Sequence, residues 1–207
     1  MAQIQKDSIQ YLALDMRGNG GGAIVNIPRV LKYFLNEPFA ISNKWSIRRS
    51  AFMNAFPIYN PFMPVIGLSY FKNKEGDWRY RPSENMKVYE PSKKYHYDGD
   101  LYIIGNGGSY SATIFTSSIL VDRGRAQYIG KRAGGSRWGS FAGRWYRGKL
   151  PNTKIRFRIP YYKIEHKLIN KEYEFFIEPE YEISSTFEQF LNREDPYEKF
   201  FKDLVVP

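Results

Sequence analysis

Cysteine is absent from the 207 residues, which excludes disulfides and thiolate metal ligands and leaves the redox compartment unspecified. Histidine is nearly absent: His96 and His166 are the only two, too few for a histidine-rich metal site. No window approaches about eighteen consecutive apolar residues, so no spanning helix is expected. Met1 to Asp7 also lacks the apolar run of a secretory signal, and the chain as given reads as soluble, without an export address. Acidic residues are the scarcer charge, 21 against 31 Lys and Arg, for a formal net charge of +10. There is neither an internal repeat nor a low-complexity segment.

With 43% hydrophobic and 17% aromatic residues, the chain can bury one substantial core, so a single domain over 1–207 is expected and disorder throughout is excluded. The positive excess raises nucleic acid as a partner, because clustered Lys and Arg release counterions at phosphates. Between Arg123 and Lys149, basic residues alternate with Tyr128, Trp138, Phe141, Trp145 and Tyr146, a composition suited to base stacking. A solvated rim whose aromatics pack on the domain has the same composition and is the commoner case. A basic rim equally suits a peptide carboxylate or an acidic partner, and no nucleic acid is expected.

Strands alternate with helices along the chain, the pattern of an α/β domain. Tyr11-Leu12-Ala13-Leu14-Asp15 reads as a buried strand that runs into a glycine turn, Gly18 to Gly22. Ile24, Ile27, Val30, Leu31 and Phe34 then recur at helical spacing until Asn36-Glu37-Pro38. A second unit repeats this order: strand Leu101 to Ile104, glycine turn 105–108, and helix Ser111 to Asp122. Two such units predict a parallel sheet with both turns at one edge. The proline- and aromatic-rich stretch between them, 41–97, is long for a connection and reads as a cap or insert. Thr153 to Pro160 alternates as a half-buried strand, and Asp195-Pro196-Tyr197-Glu198 opens a last helix.

A serine at a helix start, directly after a strand and a glycine turn, sits where free backbone N–H groups and the helix dipole stabilise a developing negative charge. Ser111 has that placement, although taken alone such a serine is more often a cap. The segments Leu12 to Gly22, with Asp15, Arg17, Asn19, Gly20 and Gly21, and Gly108-Ser109-Tyr110-Ser111-Ala112, followed by Asp122 to Ala126, resemble the S41 (C-terminal processing, tail-specific) serine peptidases in order and spacing. Phe176-Ile177-Glu178-Pro179-Glu180 is similar to a stretch near that family's C-terminal end. The resemblance covers about residues 8–36 and 98–205.

The resemblance implies a ClpP/crotonase-like α/β fold and hydrolysis of polypeptides through an acyl-enzyme on Ser111, with no metal and no organic cofactor. The oxyanion would face the N–H of Ala112 and an N–H of the Gly20-Gly21 turn, with Glu178 as an orienting carboxylate and Asp15–Arg17 as a structural pair. Where one branch of the family carries a catalytic lysine, this chain has Ser136, and Lys131 is displaced by five residues. Gly134-Gly135 instead looks like the tricorn-like and retinoid-binding-protein-like branch, whose base is a histidine upstream of the Asp15 motif. Only 14 residues precede Asp15, so the reading is of a fragment without that histidine and without the first core strand. His96 and His166, the latter in a charged hairpin Lys163 to Lys171, read as surface residues. The resemblance also suggests an extracytoplasmic parent, and an oligomer is compatible with it. Two alternatives stand beside this one. Gly18 to Ala23 fits a dinucleotide-binding glycine pattern, but no acidic-ended second strand follows. A non-catalytic peptide-binding module of the same fold would keep groove and turns without the base.

Overall fold

The computed structural model describes residues 1–47, 70–72, 78–80, 87–170, 172 and 174–205. In chain order the elements are α1 (Ala2–Lys6), β1 (Tyr11–Asp15), α2 (Asn26–Leu31), β2 (Ser42–Ile47), β3 (Tyr70–Lys72), β4 (Trp78–Tyr80), β5 (Asp100–Gly105), α3 (Ala112–Asp122), β6 (Gln127–Gly130), β7 (Gly139–Lys149), β8 (Arg156–His166), β9 (Tyr181–Glu182), α4 (Phe187–Asn192) and α5 (Pro196–Val205). They build two sheets, one parallel in the order β1-β5-β6-β9 and one in the order β3-β4-β2-β8-β7 whose pairings are antiparallel.

The parallel sheet is the one that the repeated strand–turn–helix order predicts. β5 is covered on both faces, which is why it reads as an unbroken apolar run. Leu101 and Ile103 point into the main core, while Tyr102 and Ile104 meet Tyr197, Phe200, Phe201 and Leu204 of α5. β1 departs from the expectation of a buried strand. It stands at the sheet edge and its residues are only half-buried or exposed. The C-terminal helix starts as its sequence predicts: Pro196 is its first residue, and the Asp195 carboxylate accepts the N–H of Tyr197 at 3.0 Å.

α3 lies between the sheets and is buried from Thr113 through Leu120. A helix with no solvent face must lack charge there, and its small polar residues must satisfy themselves locally. Thr116 and Ser117 do so by donating to the carbonyls of Ala112 (2.9 Å) and Thr113 (2.8 Å), whereas the buried Ser118 hydroxyl has no partner among the described residues. Of the 41–97 stretch, the described parts include β2, β3 and β4, which extend the second sheet; residues 48–69, 73–77 and 81–86 lie outside the described residues. β8 also runs further than the expected Thr153 to Pro160, continuing to His166. Pro160 lies within β8 opposite Trp145 of β7, and among the described residues β2 pairs with β8 from Tyr162 to His166.

Candidate active site

The two glycine turns meet at the ends of β1 and β5, and side-chain amides and a buried hydroxyl lock them together. The Asn106 side-chain oxygen accepts the N–H of Gly108 (2.9 Å) and, across the gap, the N–H of Gly18 (3.0 Å). Ser109, fully buried, donates from Oγ to the Met16 carbonyl at 2.8 Å and accepts the Asn106 N–H at 3.1 Å. The Tyr110 N–H donates to the Asn19 carbonyl at 3.0 Å. Gly134 closes the assembly from a third side, donating its N–H to the Ser109 carbonyl at 3.2 Å. A Cβ at position 134 would lie 2.1 Å from the Gly107 carbonyl oxygen, so only glycine fits.

On this platform Ser111 takes φ 54°, ψ −122°. A positive φ is costly for any residue with a Cβ, and it is maintained only where the surroundings over-determine it. Such a sharp strand-to-helix turn lifts a side chain out of the helix N-terminus and exposes it. Ser111 is exposed and its hydroxyl makes no cap hydrogen bond, so it is not spent on the commoner capping role. Ala112, the first residue of α3, has an N–H beyond the reach of the intrahelical ladder. Gly21 comes so close that a Cβ there would sit 2.7 Å from the Ala112 nitrogen and 2.8 Å from the Ser111 Cβ. Gly21, Ser111 and Ala112 are therefore brought together, whereas Gly20, one residue earlier in the turn, has nothing within 4 Å of where its Cβ would be. The Gly21 N–H is occupied, donating to the Asn19 side-chain oxygen at 2.9 Å.

Beside Ser111 opens a cavity of about 750 Å³, walled by Tyr110, Ile114, Trp138, Ile164, His166 and Phe175 among others. His166 corrects the surface reading: it is 3% exposed and stacks on the Phe115 ring with centroids 3.8 Å apart. Its Nδ1 lies 2.8 Å from the Arg137 carbonyl. A carbonyl only accepts, so Nδ1 carries the proton and Nε2 is the basic nitrogen, buried and without a hydrogen-bond partner. Burial lowers the imidazole pKa to about 4 and keeps it neutral. Sequence reasoning missed this residue because it ended the strand at Pro160. The signal was the alternation of buried Tyr162, Ile164 and His166 with outward Lys163 and Glu165.

The other residues singled out are distributed around this centre. Ser136 lines the cavity and its Oγ accepts the Trp138 N–H at 3.2 Å. Glu178 is not among the residues lining the cavity; its half-exposed carboxylate faces Arg132 at 4.0 Å. His96 bonds Asn36, lies 3.3 Å from Asp98, and lines a different hollow beside α1. Arg17 grips Asp15 through Nε (3.0 Å) and a terminal nitrogen (2.7 Å), reaches Asp195 at 2.9 Å, and covers the Tyr197 ring at 4.5 Å. The guanidinium hydrogen bonds hold both carboxyls below their ordinary range. The expected structural pair is thus the centre of a larger clasp. Among the described residues no group of three or more His, Asp or Glu is arranged to hold a metal ion, and no helix is long and apolar enough to cross a membrane.

The sequence pattern of peptidase family S41 matches residues 1–167. None of the curated proteins matches the sequence. Among solved structures, a protein from Parabacteroides merdae designated a candidate peptidase superposes with a TM-score of 0.60 at 20% identity, covering 97% of this chain and 53% of its own. Mature CPAF superposes with a TM-score of 0.58 at 15% identity, covering 97% of this chain and 44% of its own. At such identities the likeness is one of fold, and the chain spans about half the length of the structures it matches.

Proposed function

Because this chain belongs to peptidase family S41, we propose that it provides the nucleophile-bearing part of a serine peptidase, with Ser111 forming an acyl-enzyme on a polypeptide substrate. The observation that carries this reading is the strained, uncapped Ser111 held against the Gly20-Gly21 turn. Its Oγ attacks the peptide carbonyl, and the carbonyl oxygen takes up negative charge beside the Ala112 N–H. The Gly21 N–H is already bonded, so Gly20 is the donor left in that pair. The Ser111 proton needs a base that neither His96 nor His166 supplies from its place in this structure, so the acceptor comes from outside the described residues. Glu178, outside the cavity and facing Arg132, has its orienting role from the resemblance alone.

The cavity receives a substrate side chain next to the attacked carbonyl. It favours a large uncharged one: Glu165 is shared by Lys44 (3.5 Å) and Lys163 (3.6 Å), and His166 is neutral. A charged side chain would be desolvated there without a free counter-ion. A second reading, a peptide-binding module of the same fold, is favoured by one observation. Neither imidazole hydrogen-bonds Ser111: Nε2 of His166 has no partner and that of His96 is held by Asn36.

Intact-mass spectrometry after fluorophosphonate treatment separates the two. The hydrolytic reading expects one adduct, lost in Ser111→Ala while the thermal melt is unchanged. No adduct on a chain that melts cooperatively leaves the binding module.

A further inference from the structure

The basic, aromatic stretch that the sequence analysis singled out is not absorbed by the serine site. Its C-terminal part, Gly139 to Lys149, is β7, which forms a hairpin with β8; β7 is the terminal strand of its sheet and pairs only with β8 among the described residues. From Arg123 through Ile164 the sequence contains no Asp or Glu. At the inner end of the hairpin the charge is balanced, since Lys163 faces Glu165. At the outer end it is not: Arg147 stands directly opposite Arg158, and Lys149 directly opposite Arg156. Like charges at opposed positions destabilise a strand pair, so the hairpin bears a cost that an anionic partner would relieve. Phe141, Trp145 and Tyr146 on β7 are also exposed, along a strand edge whose outward N–H and C=O groups have no partner strand among the described residues.

We infer that β7 is a docking edge for an acidic, extended peptide segment, which adds to the sheet as a further strand with its carboxylates on the Arg147, Lys149, Arg156 and Arg158 cluster. The edge decides between anionic partners. A strand edge presents donors and acceptors in alternation at strand spacing, which a peptide backbone complements on both counts. A nucleic-acid backbone, whose phosphates only accept, complements half of them. β7 also begins at the cavity, to which Gly139, Ser140 and Phe141 contribute, so a segment laid along it runs up to Ser111. Docking itself needs no nucleophile, and it stands whether or not the chain hydrolyses anything.

The test is fluorescence anisotropy of a labelled ten-residue peptide alternating Glu with Val or Thr, on the Ser111→Ala chain so that the probe survives. Binding is expected to weaken at least about tenfold on raising salt from low to high ionic strength. It should weaken about tenfold or more when Gln replaces Glu, when two central residues of the probe are changed to Pro, and in Arg147→Glu. The last variant places a carboxylate opposite Arg158, so its melting temperature should be no lower than the parent's, which separates lost binding from lost folding. Equal binding of the Pro probe overturns strand addition. Equal binding of the Gln probe, or no binding at all, overturns the acidic ligand. A single-stranded oligonucleotide of matched charge that binds more tightly than the peptide overturns it in favour of nucleic acid.

Discussion

Ser111 bears a backbone conformation that its side chain does not favour, and the penalty is of the order of 1–3 kcal/mol for a residue with a Cβ at such angles. Glycine carries none. Ser111→Gly is therefore expected to stabilise the fold by about 1 kcal/mol, a rise in melting temperature of a few degrees, while removing the hydroxyl. Ser111→Ala retains the Cβ and should melt like the parent. If the glycine variant is no more stable than the alanine variant, the strain is not real. The position of the serine was legible in the sequence from the glycine turn and the helix that follows. Its backbone conformation was not, because it is imposed by Gly21, Asn19 and Gly134, residues from two other segments.

At the scale of elements, the meeting of the two turns is the feature most sensitive to a single methyl group. Gly21→Ala adds a Cβ 2.7 Å from backbone atoms of Tyr110 and Ala112, at a φ of 95° where no side chain is comfortable. The turns must part, so the variant is expected to lose Ser111 labelling and more than about 1 kcal/mol of stability, read as a lower denaturation midpoint. Labelling at the parent rate would show that this contact does not shape the site. Element order, the parallel sheet and the start of α5 were legible because glycine turns, apolar runs and the Asp195-Pro196 pair report local physics. The exposure of β1 and the burial of His166 were not, since each depends on what stacks alongside. β1 lies at a sheet edge, and His166 is enclosed by Phe115 and the backbone of Arg137.

For the molecule as a whole, the enclosed imidazole makes stability depend on pH. His166 has a pKa of about 4 when folded against 6.5 for the ordinary side chain. The unfolded chain therefore takes up the proton first as pH falls. Stability from this group is complete above about pH 6.5 and declines toward pH 4, by about 3 kcal/mol in all. Asp15 and Asp195 also have a lowered folded pKa, because hydrogen bonds from Arg17 favour their charged forms. Their contribution is present above the ordinary carboxylate range and lost only below it, so the two effects follow one another as acid is added. Chemical denaturation between pH 7 and 4.5 is expected to show the first loss in the parent and a flatter profile in His166→Phe, which keeps the ring stack but cannot titrate. Parallel profiles would assign the loss elsewhere.

The clasp of Arg17 on Asp195 joins residues 178 positions apart, and this has a consequence for the order of events during synthesis. In synthesis the first glycine turn precedes its anchor at the head of α5 by 178 residues. A nascent chain can fold β5 and α3 and present Ser111 before Arg17 has its second carboxylate. The turn beside Ser111 is thus secured only when translation has passed Asp195, a built-in delay between making Ser111 and fixing its surroundings.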